Sequence, residues 1–340
     1  MADVPGPVAR VVRLSRIGRR LMSRTITVVI PAHNAGRYLA RVLASVHAQT
    51  RRPDQVIVID DGSIDDTAAI ADADPDVELI RQANAGASVA RNAGIQAARG
   101  EWVAFLDADD EWLPEHLALH DALLDRNPHL VWTTGNSFWC RCDRGHLRRP
   151  DVAGERLRRV QSLLAGKDYF DSYFTAYAHF AAGNTDTMVV RKDVLVEAGL
   201  FHAGRPRMND IDMWFRIAYR HRPIGFVDSP TAIYHVDVPD STVKRHAEPQ
   251  ALFDFMDWHL ELARQHGRLD EFAPCAVKII GWWMKCSLQK RQGQEVRVIL
   301  RRYGHLFPVY TRLTTSLHAR LPVLGNAYES FKHRLGGETK

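Results

Sequence analysis

The sequence predicts an α/β fold in which a mostly parallel sheet is flanked by helices. From Thr25 onwards, short apolar runs of strand length alternate with segments whose apolar residues recur at helical spacing. Polar residues follow several of these runs directly. Strand–helix–strand repetition buries both faces of a parallel sheet, and such sheets bind ligands beyond the carboxyl ends of their strands.

The predicted elements of the first third alternate regularly. The predicted strands are short apolar runs at 27–30, 56–59, 77–80 and 102–106. The predicted helices have apolar positions three and four residues apart and cover 36–49, 65–73 and 87–98. Further along, we predict a strand at 130–138, a loop at 140–159 and a helical extension beyond Glu248.

Composition sets broad limits on function. The chain has 340 residues, of which 46% are hydrophobic and 25% charged, as in ordinary globular proteins. The net charge of +5 suits anionic partners, but no run of basic and aromatic residues resembles a nucleic-acid module, so we expect no nucleic-acid partner. Because no apolar stretch reaches spanning length and four cysteines make no disulfide framework, we expect a cytoplasmic protein with reduced cysteines.

Polar side chains cluster where the predicted strands end. They are Pro31, His33 and Asn34 after the first strand, Asp60 and Asp61 after the second, and Asp107, Asp109 and Asp110 after the fourth. Acids at the exit of a buried strand repel one another unless a cation offsets their charge. Carboxylate oxygens suit Mg²⁺ or Mn²⁺, which share such ligands with phosphates. The alternative is a solvated acidic turn.

Two common nucleotide-binding classes do not fit the first strand-to-helix connection. Residues 31–36 contain neither a Gly-x-Gly-x-x-Gly sequence nor a Gly-Lys-Ser/Thr sequence. Dinucleotide-dependent oxidoreductases and P-loop NTPases are therefore disfavoured.

Four segments in register resemble family 2 glycosyltransferases of the GT-A fold. They are Val-Val-Ile-Pro-Ala-His-Asn (28–34), Val-Ile-Asp-Asp-Gly-Ser-Ile-Asp-Asp-Thr (58–67), Asn-Ala-Gly-Ala-Ser-Val-Ala-Arg-Asn-Ala-Gly (84–94) and Phe-Leu-Asp-Ala-Asp-Asp (105–110). The resemblance covers residues 25–245. It implies a GT-A domain at 25–245 with donor-binding (25–110) and acceptor or catalytic (111–245) halves. The sequence on either side predicts a basic tail at 1–24 and a helical region at 246–340.

The resemblance implies a nucleotide-sugar donor, most often a UDP-sugar. Pro31, His33 and Asn34 would then wall the nucleoside pocket, and Asp60 or Asp61 would accept a hydrogen bond from the base. The alternative for the two acids is a turn that follows a strand.

The third and fourth segments supply further implied roles. Arg91 would reach the donor, with an ordinary surface arginine as the alternative, and Asp107 would contact the ribose or the sugar. Asp109 would bind Mn²⁺ or Mg²⁺ on the diphosphate. His235, in a segment that resembles the family's closing motif, would ligate the metal or cover the diphosphate, as would Asp237; a structural histidine is the alternative.

The segment Met208-Asn209-Asp210-Ile211-Asp212-Met213-Trp214 resembles the family's Glu-Asp-x-Asp-Leu-Trp motif. By resemblance, Asp210 is the general base that takes the acceptor hydroxyl proton in an inverting displacement. The alternative is a helix N-cap, and Asp212 is the reserve candidate for the base. Asn209 replaces the family's usual Glu, which keeps a catalytically degenerate sugar-nucleotide-binding or interaction protein open. A nucleotidyltransferase, which shares the sheet type, is a second enzyme class, but its glycine- and arginine-rich opening loop is absent.

The resemblance implies an inverting transferase for polysaccharide, glycolipid or glycoconjugate assembly. Its acceptor would be a carbohydrate, a lipid-linked molecule or a small molecule. Apolar and basic residues interleave in the tail at 1–24, and tryptophans and lysines lie close together near Trp282. Peripheral contact with the cytoplasmic membrane face and a homo-oligomer therefore stay open, beside a disordered tail and simple helix packing.

Overall fold

The computed structural model describes residues 24–141, 146–180, 183–205, 207–236, 238 and 249–320. The strands of this part are β1 (Ile26–Ala32), β2 (Gln55–Asp61), β3 (Val77–Gln82), β4 (Trp102–Phe105), β5 (Glu111–Trp112), β6 (Trp132–Arg141), β7 (His146–Pro150), β8 (Tyr169–Phe170), β9 (Val189–Arg191) and β10 (Ile224–His235). The α-helices are α1 (Gly36–His47), α2 (Thr67–Asp72), α3 (Ala87–Ala97), α4 (His116–Arg126), α5 (Gly154–Leu164), α6 (Tyr173–Phe180), α7 (Lys192–Glu197), α8 (Asn209–Arg220), α9 (Pro249–Gln265), α10 (Leu269–Gln289), α11 (Gly293–Tyr303) and α12 (Val309–Arg320). The predicted α/β alternation and the helical extension are confirmed.

The sheet runs in the order β3-β2-β1-β4-β9-β6-β10-β5, with β7 on β6 and β8 on β10. The first four strands are mutually parallel, and β6 is parallel to β10. Between these groups β9 is antiparallel to both neighbours. Because β9 runs the opposite way, the residues that precede it reach the same edge as the carboxyl ends of β1, β2 and β4. One edge of the sheet therefore collects polar residues from both halves of the chain.

The residues of β1 alternate between two apolar layers. Val28 and Ile30 face the cluster that contains the buried side of α1, whereas Val29 faces the cluster that contains α3. A Cβ atom at Gly94 of α3 would lie 2.4 Å from Val29 Cγ1, so only glycine lets this helix approach the sheet so closely. This close packing holds α3 against the sheet, next to the polar edge.

The C-terminal helices share the core of the sheet domain. Phe272 of α10 packs edge-on against Phe174 of α6 and Phe215 of α8, with ring centroids 5.8 and 5.2 Å apart. The two regions are thus joined through buried aromatic rings, while the proposed domain boundary at 245 stays a prediction. None of the described helices combines the length and apolar character needed to cross a bilayer.

Two expectations from the sequence are corrected. The loop expected at 140–159 contains β7 and the start of α5, because β7 pairs with β6 and α5 buries Val160 and Leu164 in the core. Cys140 is disulfide-bonded, so the cysteines are not all reduced, whereas Cys275 and Cys286 are free.

Candidate active site

Arg91 occupies the centre of the polar edge. Its side chain is buried, donates to Asp107 Oδ1, and lies over the ring of Phe201 at 5.6 Å. Burial disfavours its charge, but Asp107, Asp210 and then Asp186 outweigh burial and raise the pKa of Arg91. A single guanidinium therefore interacts with acids from three separate segments of the chain.

Asp61 fastens the loop that leads into α3. Its Oδ1 accepts from Gln82 Nε2 at 2.7 Å and from the Ala85 N–H at 2.9 Å, and its Oδ2 accepts from the Gly86 N–H at 2.8 Å. Both oxygens of Asp61 are thus engaged by the protein. Asp60 and Asp61 were both predicted to bind the nucleotide base, and of the two Asp61 has a clear structural role.

Asp60 has more acceptor capacity left. Its Oδ1 accepts from the Ser63 N–H at 3.0 Å, as in the alternative of a turn after the strand, and its Oδ2 lies 3.4 Å from Arg81 Nε. Gly62 turns the chain between these groups at φ 71°, where a Cβ atom would lie 2.7 Å from the Asn84 nitrogen. The turn after β2 is therefore closely packed against the loop that Asp61 holds.

His33 and Asn34 form an exposed hydrogen-bonded pair after β1. His33 Nδ1 donates to the Asp61 carbonyl at 2.9 Å, so its Nε2 accepts from Asn34 Nδ2 at 3.1 Å. Asn34 has a left-handed φ of 51° and accepts from the Ile64 N–H through Oδ1. Pro31 is buried within β1. The turns after β1 and β2 are thus bound to each other and present His33 to solvent.

Three carboxylates form a compact acidic group. One oxygen each of Asp107, Asp110 and Asp186 lies within 4.8 Å of the other two. Asp186 Oδ1 accepts from the Asp107 N–H at 2.8 Å, and Asp110 Oδ1 accepts from the His235 N–H at 2.7 Å. The remaining oxygens of Asp110 and Asp186 are buried, and among the described residues these two carboxyl groups interact with each other.

Burial and mutual repulsion oppose full ionisation of this group. Burial, with Asp107 adding to it, raises the pKa of Asp186 to about 7 and that of Asp109 to about 6. Burial, followed by the charges of Asp186 and Asp109, raises the pKa of Asp110 well above its usual range. A bound divalent cation would remove this penalty, and an all-oxygen donor set suits Mg²⁺ or Mn²⁺.

The predicted metal ligands Asp109 and His235 lie beside this group, but the compact set does not include them. The Asp109 carbonyl accepts from Arg41 Nη2 at 3.1 Å. His235 Nε2 lies 2.9 Å from Glu111 Oε1, and Glu111 also pairs with Arg41 at 3.0 Å. Their roles at a metal stay predictions, and Asp237 lies outside the described residues.

Asp210 lies in the first turn of α8, close to Arg91. Its N–H donates to Asn209 Oδ1 at 2.9 Å, and its Oδ1 accepts from the Ile211 N–H at 2.8 Å. Burial raises the pKa of Asp210, and Arg91 opposes that rise. Asn209 also donates to Ser88 Oγ at 3.0 Å, so this departure from the family motif ties α8 to α3.

Asp212, the reserve candidate for the base, is fully buried among cations. Its Oδ2 accepts from Arg216 Nε at 3.0 Å and Nη2 at 2.8 Å, and its Oδ1 lies 3.2 Å from His259 Nε2. His202 and Arg205 lie 3.1 and 3.4 Å away. Although burial opposes it, His259 and the arginines hold the pKa of Asp212 below its usual range.

Two contributors to the site were not assigned from the sequence. Asp186 belongs to a segment that resembles the family, but its position depends on the reversed direction of β9. Tyr234 is the other: burial, with Asp110, Asp186 and further acids adding to it, raises the pKa of its hydroxyl. Tyr234 could have been found from the sequence, because it lies beside His235 in the closing segment.

The mixed sheet flanked by helices is the architecture of the GT-A class. Residues 27–186 match the family described as Glycosyl transferase family 2, and this region of the chain belongs to that family. It is similar to the uncharacterized glycosyltransferase YibD of Escherichia coli (strain K12), with 35% identity over 191 residues, covering 52% of this chain and 53% of YibD. It is also 45% identical over 97 residues to the uncharacterized glycosyltransferase alr2836 of Nostoc sp., covering 27% of this chain and 30% of that protein.

Solved structures share the fold. The crystal structure of S. aureus TarS 1-349 in complex with UDP-GlcNAc has a TM-score of 0.64 at 18% identity, covering 93% of each chain. At this identity the likeness establishes the architecture alone. The chain spans about half the length of YibD and less of alr2836.

Proposed function

We propose that the protein is an inverting, metal-dependent glycosyltransferase that moves a sugar from a nucleotide-sugar to an acceptor hydroxyl. One observation carries the proposal: buried Arg91 donates to Asp107, and Asp107, Asp110 and Asp186 each place one carboxylate oxygen within 4.8 Å of the other two. A donor diphosphate, a metal and a base need these groups in one pocket. UDP-GlcNAc in the TarS structure supports a UDP-sugar as the donor.

For the donor's nucleoside we propose the turns after β1 and β2. Asp60 is the better candidate to accept the base N–H, because Asp61 already binds three donors of the protein. His33 presents its ring to solvent beside these turns. A uracil imide offers the N–H donor that a carboxylate would accept.

The acidic group fits a divalent metal, since one oxygen from each of three carboxylates lies within 4.8 Å of the other two. Asp107, Asp110 and Asp186 would hold the metal from the protein side, and Asp109, the ligand predicted from the sequence, stays a further candidate. A bound Mn²⁺ or Mg²⁺ supplies positive charge that stabilises the departing nucleoside diphosphate. Arg91 orients Asp107 and offsets part of the negative charge of these acids.

Asp210 is proposed as the base that accepts the acceptor's hydroxyl proton. Its carboxylate lies at the start of α8 and within electrostatic reach of Arg91, which favours the ionised form that a base needs. The replacement of Glu by Asn209 does not remove this group, because the Asn209 side chain has its own bonds to α3 and to the helix start. This supports an enzyme over a degenerate binding protein.

The acceptor is proposed to be a carbohydrate, a lipid-linked molecule or a small molecule in glycan or glycoconjugate assembly. The test is a panel of nucleotide-sugars with Mn²⁺, Mg²⁺ or EDTA, read first by thermal shift and then by release of nucleoside diphosphate. We expect a UDP-sugar with metal to stabilise the protein most and to be turned over with inversion at the anomeric carbon. If no nucleotide-sugar binds or reacts under any metal condition, the proposal is wrong.

A further inference from the structure

A groove between α11 and α12 lies outside the site described above. Its volume is about 480 Å³. Three arginines line it together with apolar and small side chains; the lining residues are Arg297, Leu300, Arg301, Val309, Arg312, Leu313 and Ser316. The groove therefore combines positive charge with an apolar floor.

The three arginines lack acidic partners. Within the part of the chain that the structure describes, none of the side chains of Arg297, Arg301 and Arg312 forms an ion pair or a side-chain hydrogen bond. The neighbouring Arg302 differs, since it binds Asp257 and lies over the ring of Phe253. Three unpaired guanidinium groups around one groove favour an anionic ligand, because phosphate oxygens accept their hydrogen bonds well.

An exposed apolar stripe runs along α12 beside the groove. Val309, Tyr310, Leu313 and Leu317 are 59, 70, 66 and 50% exposed. Positions 309, 313 and 317 are four residues apart, so they lie along one face of the helix, and 310 lies next to them. Apolar side chains on one face of a surface helix favour an interface that is itself apolar.

The charge of this segment is one-sided. Residues 290–320 contain seven lysines and arginines and a single acid, Glu295. Glu295 is already bound by Trp283 Nε1 and Ser287 Oγ. An apolar helix face edged by cations is the arrangement of helices that lie in the surface of an anionic membrane.

We propose that the α11–α12 face docks the protein on an anionic lipid bilayer. Val309, Tyr310, Leu313 and Leu317 enter the interface, while Arg297, Arg301 and Arg312 bind lipid phosphates. A second copy of the chain on this face would set like-charged grooves against each other. A nucleic acid would leave the apolar stripe uncovered. The proposal concerns location alone and does not depend on the proposed reaction.

Vesicle sedimentation of the full chain tests this proposal. Vesicles of phosphatidylcholine alone are compared with an equal mixture of phosphatidylcholine and phosphatidylglycerol, at low and physiological salt. We expect binding to the anionic vesicles only. The combined variant Arg297→Gln, Arg301→Gln and Arg312→Gln should bind about a hundredfold more weakly, since each basic residue near an anionic surface contributes about fivefold to the affinity.

The matched control carries Arg52→Gln, Arg158→Gln and Arg159→Gln, which remove the same charge from exposed positions elsewhere. It should bind the anionic vesicles about as tightly as the wild type. The proposal is wrong if the wild type does not bind anionic vesicles, or if the groove variant and the control variant bind them equally. It is equally wrong if only deletion of residues 1–23 reduces binding.

The apolar stripe is tested by Tyr310→Ser, Leu313→Ser and Leu317→Ser, with Leu119→Ser and Val196→Ser as exposed controls. We expect at least a tenfold loss of binding for the first set only, with circular dichroism and melting temperature unchanged. Light scattering of the wild type without lipid tests whether this face binds a second copy of the chain instead. Self-association that the stripe variant abolishes, without vesicle binding, would overturn the bilayer assignment.

Discussion

Two groups of charged residues close to α8 differ in their ratio of acidic to basic side chains. The acidic edge, defined as Asp107, Asp110, Asp186 and Asp210, combines four acids with the guanidinium of Arg91, on which Asp107, Asp186 and Asp210 act. The Asp212 cluster sets one acid among Arg216, Arg205, His202 and His259. In the first group the acids outnumber the basic side chains, whereas in the second group the acid is paired with several basic side chains of the protein. Unmet charge in a pocket indicates a ligand, and saturated charge indicates structure.

This difference assigns separate roles to two acids only two residues apart. Asp210 is oriented by short-range bonds within its own turn, and its pKa is raised. Asp212 connects α8 to α9 through His259, and Arg216 connects it to the turn after α7 by donating to the Leu200 carbonyl at 2.6 Å. We therefore expect catalysis from the first acid and stability from the second.

The largest expected effect is on stability at the Asp212 cluster. Asp212→Ala leaves Arg216 buried without its carboxylate, and breaking such a buried pair costs about 3–5 kcal/mol. Urea unfolding should report this loss. The matched control is Asp193→Ala, whose carboxylate is exposed and paired with Arg191, and which should cost under about 1 kcal/mol. Equal losses for the two variants would remove the distinction between the two groups of charges.

The next largest effect is on turnover at the acidic edge. Asp210→Asn keeps size and hydrogen-bonding ability but removes basicity, so turnover should fall about a hundredfold or more while donor affinity is retained. Unfolding in urea should change little. If Asp210→Asn is active while Asp212→Asn folds normally and is inactive, the base has been assigned to the wrong acid.

A smaller effect concerns the metal. Asp109→Ala should weaken UDP binding about tenfold in Mn²⁺ and leave binding in EDTA unchanged, since a ligand acts only when the metal is bound. Calorimetric titration measures both conditions, and Asp186→Asn serves as the comparison from the compact group. Equal affinity of Asp109→Ala and wild type in Mn²⁺, with a loss in Asp186→Asn alone, would restrict the metal site to the compact group.

The acidic edge was largely predictable from the sequence, because parallel strands bring their carboxyl ends together. Asp60, Asp107 and Asp210 could each be named from their own local segment. Asp186 could not be given a role, since it reaches the edge through a three-residue antiparallel strand that depends on its neighbours for pairing. Long-range pairing of this kind has little local signal.

The Asp212 cluster was not predictable for a related reason. His259 lies 47 residues from Asp212, in a helix whose apolar spacing predicts packing but no partner. The buried position of Arg91 was also open in the sequence, where a surface arginine was the alternative. Burial of a charged side chain is decided by which acids the fold places beside it, and that information is tertiary.

The smallest expected effect is a change in the pH dependence of stability, and it belongs to the Asp212 cluster. Burial lowers the pKa of His259 to about 4, although Asp212 opposes the shift. The unfolded state binds a proton near pH 6.5, whereas the folded state stays neutral at His259 until about pH 4. Stability from this residue is therefore present above pH 6.5 and is lost as the pH falls towards 4, by up to about 1.4 kcal/mol per pH unit.

His259→Gln removes the titration and keeps an N–H donor for Asp212. Urea unfolding at pH 7, 6 and 5 should give a shallower loss of stability in this variant than in the wild type, whatever its absolute stability. An unchanged slope in His259→Gln would mean that His259 is not held neutral. The Asp212 cluster would then contain one more positive charge, and its contrast with the acidic edge would be greater than the structure indicates.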